Sequence, residues 1–287
     1  MKNKVWFITG ASKGFGFEIA KAALASGDTV VATVRRNAED LAASLGDPKK
    51  ALVVTLDVTN EDQVKAGVKQ AIDTFGRIDV LVNNAGYGLP AATEEATNEE
   101  VKKQYDTNVF GLLNVTRAVL PHLRKQGSGH IINISSLFGY LNSVPGFGLY
   151  GSTKYAVEGI TEGLALELKP LGIHVIAAAP GLFSTEFVST DSYQSSGLIL
   201  DAYKDTVGAI RNATTHIHGN QPGDPAKLAN VIVKLAASEN PPLHLPIGPD
   251  SVENFRKKTA EMTKEAGRMG SGFQQYQSLI NGRLKSI

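Results

Sequence analysis

The feature that most limits what this chain can fold into is a regular alternation. Short β-branched runs take turns with longer amphipathic segments from residue 4 to about residue 247. The runs are KVWFIT (4–9), TVVATVR (29–35), ALVVTLD (51–57), DVLVN (79–83), HIINIS (130–135), HVIAAAP (174–180) and LHLPI (243–247). Each is apolar almost throughout rather than at every second position, the mark of a strand covered on both faces. Helical periodicity fills the intervals near 15–26, 60–75, 98–125, 150–168 and 224–237. Right-handed β-α-β crossovers wind such a chain into a doubly wound parallel α/β sheet of about seven strands, with helices on both faces. No linker or internal repeat divides it, so residues 1–248 are read as one domain.

Two regions fall outside the pattern. Residues 184–222 form a long polar and aromatic excursion after the sixth strand, the place for a lid over a ligand, or for a solvated loop with its own helix. Residues 249–287 read as a C-terminal helical extension packed on the same domain, for packing or subunit contact. The 29 basic and 28 acidic residues nearly cancel, which gives no electrostatic case for nucleic acid or an anionic membrane. The absence of cysteine excludes thiol catalysis, thiolate metal sites and disulfides, and suits a reducing cytoplasm. The apolar run at the N-terminus is too short for a signal peptide, and no later run is long enough for a membrane helix. A soluble cytoplasmic protein is expected. The histidines 216 and 218 are the one close pair, with no acid cluster beside them, so no metal site is expected.

The first run leads into TGASKGFGFEIAKAAL, where Gly10, Gly14 and Gly16 follow a strand and open a helix. Gly10 permits a tight turn, Gly14 lets backbone approach a phosphate, and Gly16 lets the helix pack closely on the strand. The helix N-terminus offers unpaired N–H groups to a pyrophosphate. TGASKGFG, NNAG (83–86), YGSTK (150–154) and PGLFST (180–185) occur in that order. Together they resemble the short-chain dehydrogenase/reductase family, in its shorter single-domain, Rossmann-type branch, over about residues 4–247. The resemblance implies a dinucleotide cofactor contacted by Ser12, Lys13 and Phe15 in the glycine turn, Asp57, Asn84 and Gly86, and Pro180, Gly181, Phe183 and Thr185. Asp57 also reads as a cap partner for Thr59 or Asn60, and the Asn-Ala-Gly corner as a purely structural turn. At the end of the second strand Val34 stands where an acid would accept from the ribose of NAD, followed by Arg35 and Arg36. Guanidinium is shaped to clamp a 2′-phosphate, so Arg35, with Lys13, points to NADP(H).

In a helix, Tyr150 and Lys154 share a face, whereas Tyr155 points about 100° away. A carbonyl reductase must protonate the substrate oxygen as hydride arrives. An ammonium beside a phenol lowers its proton affinity toward the working range, so Tyr150 is the candidate general acid/base and Lys154 its tuner. By the family pattern Lys154 also reaches the nicotinamide ribose. Ser136 matches the serine that hydrogen-bonds the reacting oxygen, with Ser135 as its rival, since strand alternation turns the two to opposite sides. Asn108 resembles the fourth member of the catalytic set and is locally unfavourable within a helix, consistent with a kinked backbone.

These readings converge on an NADPH-dependent reductase of a ketone or aldehyde, with transfer of the pro-S hydride as the resemblance implies. Phe183, Phe187, Tyr193, Leu198, Ile199 and Leu200 in the lid, with Phe147 and Leu149 opposite, point to a largely apolar small-molecule substrate or to core packing. Family members commonly assemble as dimers or tetramers through the helices near 108–125 and 150–168, so a homo-oligomer is expected. A non-catalytic NADP-binding regulator and a dehydratase or epimerase on the same scaffold are the competing classes.

Overall fold

A computed structural model describes residues 3–184, 196–217 and 221–284, with side chains omitted for 214–217 and from 268 onward. Seven parallel strands are ordered β3-β2-β1-β4-β5-β6-β7. They are β1 (Val5–Ile8), β2 (Thr29–Val34), β3 (Ala51–Thr55), β4 (Val80–Asn83), β5 (Gly129–Ile134), β6 (Ile173–Pro180) and β7 (His244–Ile247). The order reverses beside β1, between β1 and β4, which is where an open α/β sheet leaves a crevice at its carboxyl ends.

Strand alternation explains why the runs are apolar on both sides. Trp6 and Ile8 point into one core while Val5 and Phe7 point into the other, and Val80 and Val82 oppose Leu81 in the same way. The first core is closed by α1 (Gly14–Ala25) through Ile19, Ala20 and Ala23, and by α8 (Pro225–Ala236) through Leu228 and Ile232. The second is closed by α3 (Glu61–Phe75) through Val64 and Val68, by α5 (Leu112–Gln126) through Val115, Val119 and Leu123, and by α6 (Gly148–Leu168) through Leu168. Each large side chain fully buried here, Trp6 or Ile132 for example, contributes roughly 1.5–3 kcal/mol.

The sequence reading omitted α2 (Ala38–Leu45), whose short length hid its signals. Glu39 and Asp40 favour its first turn, Leu41 and Leu45 lie four apart and are buried, and Gly46 ends it. The long helix read over 98–125 is divided. α4 (Asn98–Tyr105) begins at a capping box of Thr97 and Glu100, then a π-helical turn, Asp106–Gly111, precedes α5. Past β6, Asp201–Tyr203 and Lys204–Gly208 form tight and wide helical turns before α7 (Ala209–Ile217), so the described part of the 184–222 excursion has helical structure of its own. The last described element is α9 (Pro249–Leu284), whose first turns pack on the sheet end: Ser251 donates to Ala179 O, and Phe255 meets Tyr140 edge to face at 5.0 Å. Among the described residues no helix is long and apolar enough to cross a membrane.

Candidate active site

Gly10 and Gly14 both take positive φ, 64° and 59°, a conformation that an L side chain rarely adopts. A Cβ on Gly16 would lie 2.5 Å from both Gly10 O and Asn84 Nδ2, so the close approach of α1 to the turn requires glycine. Asn84 fixes that turn from the neighbouring strand: its Nδ2 donates to Thr9 O and Gly10 O, each at 2.9 Å, and its own N–H donates to Thr9 Oγ1. The two openings read for the NNAG corner thus share a residue, because Asn84 is structurally committed wherever else it reaches.

The N-terminus of α1 differs from those of α3, α4 and α8. Asn60, Thr97 and Asp224 each accept first-turn N–H groups at α3, α4 and α8. At α1 the N-cap Lys13 makes no side-chain cap hydrogen bond, and no acid sits in the first turn. Those donors and the positive end of the helix dipole suit a phosphate group. Arg35 is exposed just beyond β2, and Phe15 from the turn meets Phe183 after β6 at 5.4 Å, edge to face. Gly181 is pinned beside Asp250, which leaves no room there for a Cβ, and its N–H donates to Ile247 O. Asp57 Oδ1 accepts from the N–H and hydroxyl of Thr59, the local cap partnership. Thr185, Phe187 and Tyr193 lie outside the described residues. The turn, the uncapped helix and the basic strand end together fit a pyridine dinucleotide.

Tyr150 lies in the first turn of α6, with Lys154 one turn further, both buried. Ser136 follows β5, and its Oγ accepts from Phe138 N–H at 3.2 Å. Its hydroxyl acts on the Tyr150 phenol and lowers that group's proton affinity. Ser135 turns the other way, toward Glu158 and Gly139, as strand alternation requires. Asn108 sits in the π turn and uses both ends of its amide. Nδ2 donates to Tyr87 O (2.9 Å) and Thr153 Oγ1 (3.1 Å), and Oδ1 accepts from Tyr87 N–H (3.0 Å). It therefore bolts the strand-β4 loop to α6. Lys154 Nζ donates to Ile134 O at 2.8 Å and lies 5.7 Å from the Tyr150 ring centroid.

Burial raises the Tyr150 phenol above its ordinary value, against a lowering pull from Ser136. The lysine is itself affected. Burial drives it down to about 8, against the raising influence of Glu158. The ammonium lies beside the Tyr150 ring and points to a backbone carbonyl.

The apolar wall beside Tyr150 differs from the one read in the sequence. Phe138 and Phe147 stack at 4.7 Å, and each meets the Tyr150 ring edge-on at 6.3 Å. Leu137, Val144 and Ile210 join them, whereas Leu198 and Ile199 are exposed and Phe183 packs at the glycine turn. Phe138 and Ile210 had no sequence signal, because strand-end geometry and a distant helix bring them in. A cleft of about 430 Å³, lined by residues including Ala91, Ala92, Pro145 and Gly146, shares Val144 with this wall.

The family called short chain dehydrogenase matches residues 4–195. The chain belongs to the short-chain dehydrogenase family. It is 40% identical over 261 residues to oxidoreductase BOA17 of Botryotinia fuckeliana, covering 90% of this chain and 93% of that protein. It is 39% identical over 251 residues to a 3-ketodihydrosphingosine reductase of Bacteroides thetaiotaomicron, covering 87% and 89%. A solved short-chain dehydrogenase from Streptomyces avermitilis superposes with a TM-score of 0.87 at 39% identity, covering 96% of this chain and 99% of that one. Two other solved relatives carry nicotinamide cofactors of different kinds. A 3-ketoacyl-(acyl-carrier-protein) reductase from Brucella melitensis (30% identity, TM-score 0.72, covering 87% and 99%) is complexed with NADH. ElxO (32%, 0.69, covering 85% and 96%) is bound to NADP. The chain is an oxidoreductase of this family.

Proposed function

We propose that the protein is an NADPH-dependent carbonyl reductase that takes a ketone or aldehyde to the alcohol, reversibly. One observation carries the reading: Ser136, whose Oγ accepts from Phe138 N–H, stands at the carboxyl end of β5 beside the buried Tyr150 phenol, with Lys154 one helical turn behind. Ser136 and the Tyr150 phenol converge where a carbonyl oxygen would sit, so developing negative charge meets two donors already in place. Tyr150 gives its proton to that oxygen, and Ser136 holds the oxygen in register. NADPH, when bound, supplies the hydride. The residues that would hold it are Gly10, Ser12, Lys13, Gly14, Phe15 and Gly16 in the turn, with Asp57, Asn84, Gly86, Pro180, Gly181, Phe183 and Thr185. Lys154 would donate to its ribose. Arg35 and Lys13 support the phosphorylated cofactor, since a guanidinium past Val34 clamps a 2′-phosphate and cannot accept from a free ribose hydroxyl.

The wall of Leu137, Phe138, Phe147 and Ile210 favours a largely apolar substrate, as does the kinship with a ketodihydrosphingosine reductase. Phe110 and Leu166, 52% and 80% exposed on the π turn and α6, suit a homo-oligomer. The lack of cysteine suits a cytoplasmic setting.

The decisive experiment follows cofactor oxidation with a panel of aliphatic, aromatic and long-chain ketones, using NADPH and NADH in parallel. Tyr150→Phe is expected to lower kcat by about 10²–10⁴ while leaving cofactor binding in place. Undiminished turnover in that variant overturns the mechanism. Turnover with the cofactor returned unchanged would instead indicate an epimerase. Arg35→Asp should lower kcat/KM for NADPH at least about tenfold more than for NADH.

A further inference from the structure

The face of α6 that carries Tyr150 and Lys154 carries a third ionisable side chain one turn on, Glu158. It is 5% exposed, and Lys154 is 6% exposed. An isolated charge in such a layer costs several kcal/mol in lost hydration, so a buried ammonium needs a nearby anion or gives up its proton. The Ile134 carbonyl to which Lys154 donates supplies a dipole and no countercharge. Tyr150, Asn108 and Gly86 also border the amine, and Asn108 is neutral and fully engaged. Glu158 is the charged group acting on the lysine, and it opposes the effect of burial there.

The carboxyl is aimed from the far side of the helix. His244 Nδ1, on β7, lies 3.0 Å from Glu158 Oε2, while its Nε2 lies 3.4 Å from Oε1 of the exposed Glu162. Ser135, after β5, borders Gly139 together with Glu158 Oε1, and Tyr140 lies in the following turn, both facing the carboxyl without a hydrogen bond to it. Tyr155 donates to Tyr140 O, and the Tyr140 ring meets His244 at 6.2 Å. Three segments distant in sequence therefore converge on one buried acid behind the candidate catalytic lysine. Surface pairs such as Lys69 with Asp73 have no such surroundings.

We propose that Glu158 is a positioning residue of the active site, whose carboxylate, aimed by His244, keeps Lys154 an ammonium and so sets the upper pH limit of activity. The proposal rests on the reading of Lys154 as a working member of the site. A Glu158 that merely anchored β7 would affect stability and leave the proton affinity of Lys154 untouched.

The test reads Lys154 directly, by side-chain nitrogen NMR of the full-length protein without cofactor, and in parallel the pH profile of kcat with NADPH and the best ketone. In the wild type the Lys154 midpoint should fall near 8. Glu158→Gln removes the negative charge and should lower that midpoint by about one unit, moving the alkaline limb of kcat down with it. Glu162→Gln, whose side chain is 58% exposed, should leave both in place. An unmoved Lys154 midpoint in Glu158→Gln, or a kcat reduced equally at every pH, overturns the proposal. If Glu158→Gln does not fold, Glu158→Asp carries the test. It draws the carboxylate back by one methylene and should give a smaller downward shift, and an unchanged midpoint overturns the proposal equally. Should the wild type turn over no ketone, the reductase reading fails while the NMR arm still decides this one.

Discussion

The molecule buries two glutamates in opposite ways. Glu95, in the loop after β4, is 1% exposed and fully served by donors. Its Oε2 accepts from Ala92 N–H (3.0 Å) and the Arg211 guanidinium (2.7 Å), and its Oε1 from Leu200 N–H (3.1 Å). Burial raises its carboxyl, but the two N–H groups and Arg211 outweigh that and hold it below the ordinary range. Glu158 is nearly as closed to solvent but lies deeper among protein atoms, and there burial wins over Ser135, His244 and Tyr140, so its carboxyl is raised. Depth and donors both separate the two, since of the pair Glu95 alone has a guanidinium and two backbone N–H groups. Glu95 is a clamp that ties the loop to the segment after β6, which Ser196 reinforces by donating to Glu95 O at 2.5 Å. Glu158 keeps proton affinity in hand beside a lysine.

Removing the clamp should have the largest effect on stability. Glu95→Ala strands the Arg211 guanidinium, 15% exposed, together with two backbone donors, and should cost roughly 3 kcal/mol in chemical denaturation. A loss below about 1 kcal/mol would show that the clamp is dispensable.

At Lys154 the sign should reverse. With a folded value near 8, below the ordinary 10.4 of lysine, the cost of carrying its charge is complete below pH 8 and fades as pH climbs toward 10.4. Lys154→Met should therefore stabilise the fold at neutral pH by about 1–3 kcal/mol while removing activity. A destabilised variant would mean that the lysine is as structurally committed as Glu95.

Acid titration of stability should pull the two glutamates apart by smaller amounts. Glu95, held low, contributes stability above the ordinary carboxylate range that is lost as pH falls through its folded value. Glu158, held high, imposes a cost above its folded value that disappears as pH falls toward the ordinary range. Thermal scans from neutral to acid pH should thus show wild type losing ground against Glu95→Gln and gaining it against Glu158→Gln. Matching trends would break the comparison. The smallest effect belongs to the rim of the clamp. Tyr203 Oη donates to exposed Glu94 at 2.8 Å, and Tyr203→Phe should leave the melting temperature nearly unchanged in the same assay.

The same contrast explains what the chain reveals before it folds. The alternation of apolar runs was legible because each strand serves two cores at once, as Trp6 and Phe7 do. The glycine turn was legible because Gly10, Gly14 and Gly16 meet backbone demands that side chains cannot. Tyr150 and Lys154 were legible because four residues make one helical turn. Leu41 and Leu45 gave too short a pattern for α2 to stand out. Glu95 and Arg211 left no local trace, since 116 residues separate them. Glu158 resembled any helix-surface acid until β7 brought His244 alongside it from 86 residues away.

The hydrogen bonds that Asn84 makes to the first glycine turn also set an order of events during synthesis. β1 is paired by β2 early, but its other edge and the carbonyls of Thr9 and Gly10 wait for a residue 75 positions later. At roughly 5–20 residues per second, that partner leaves the ribosome about 4–15 seconds after the turn does. For that interval the nascent chain holds β1 and its glycines without the brace that shapes them. A pause or truncation before residue 84 therefore yields a chain with its three glycines written and the turn they shape still unmade.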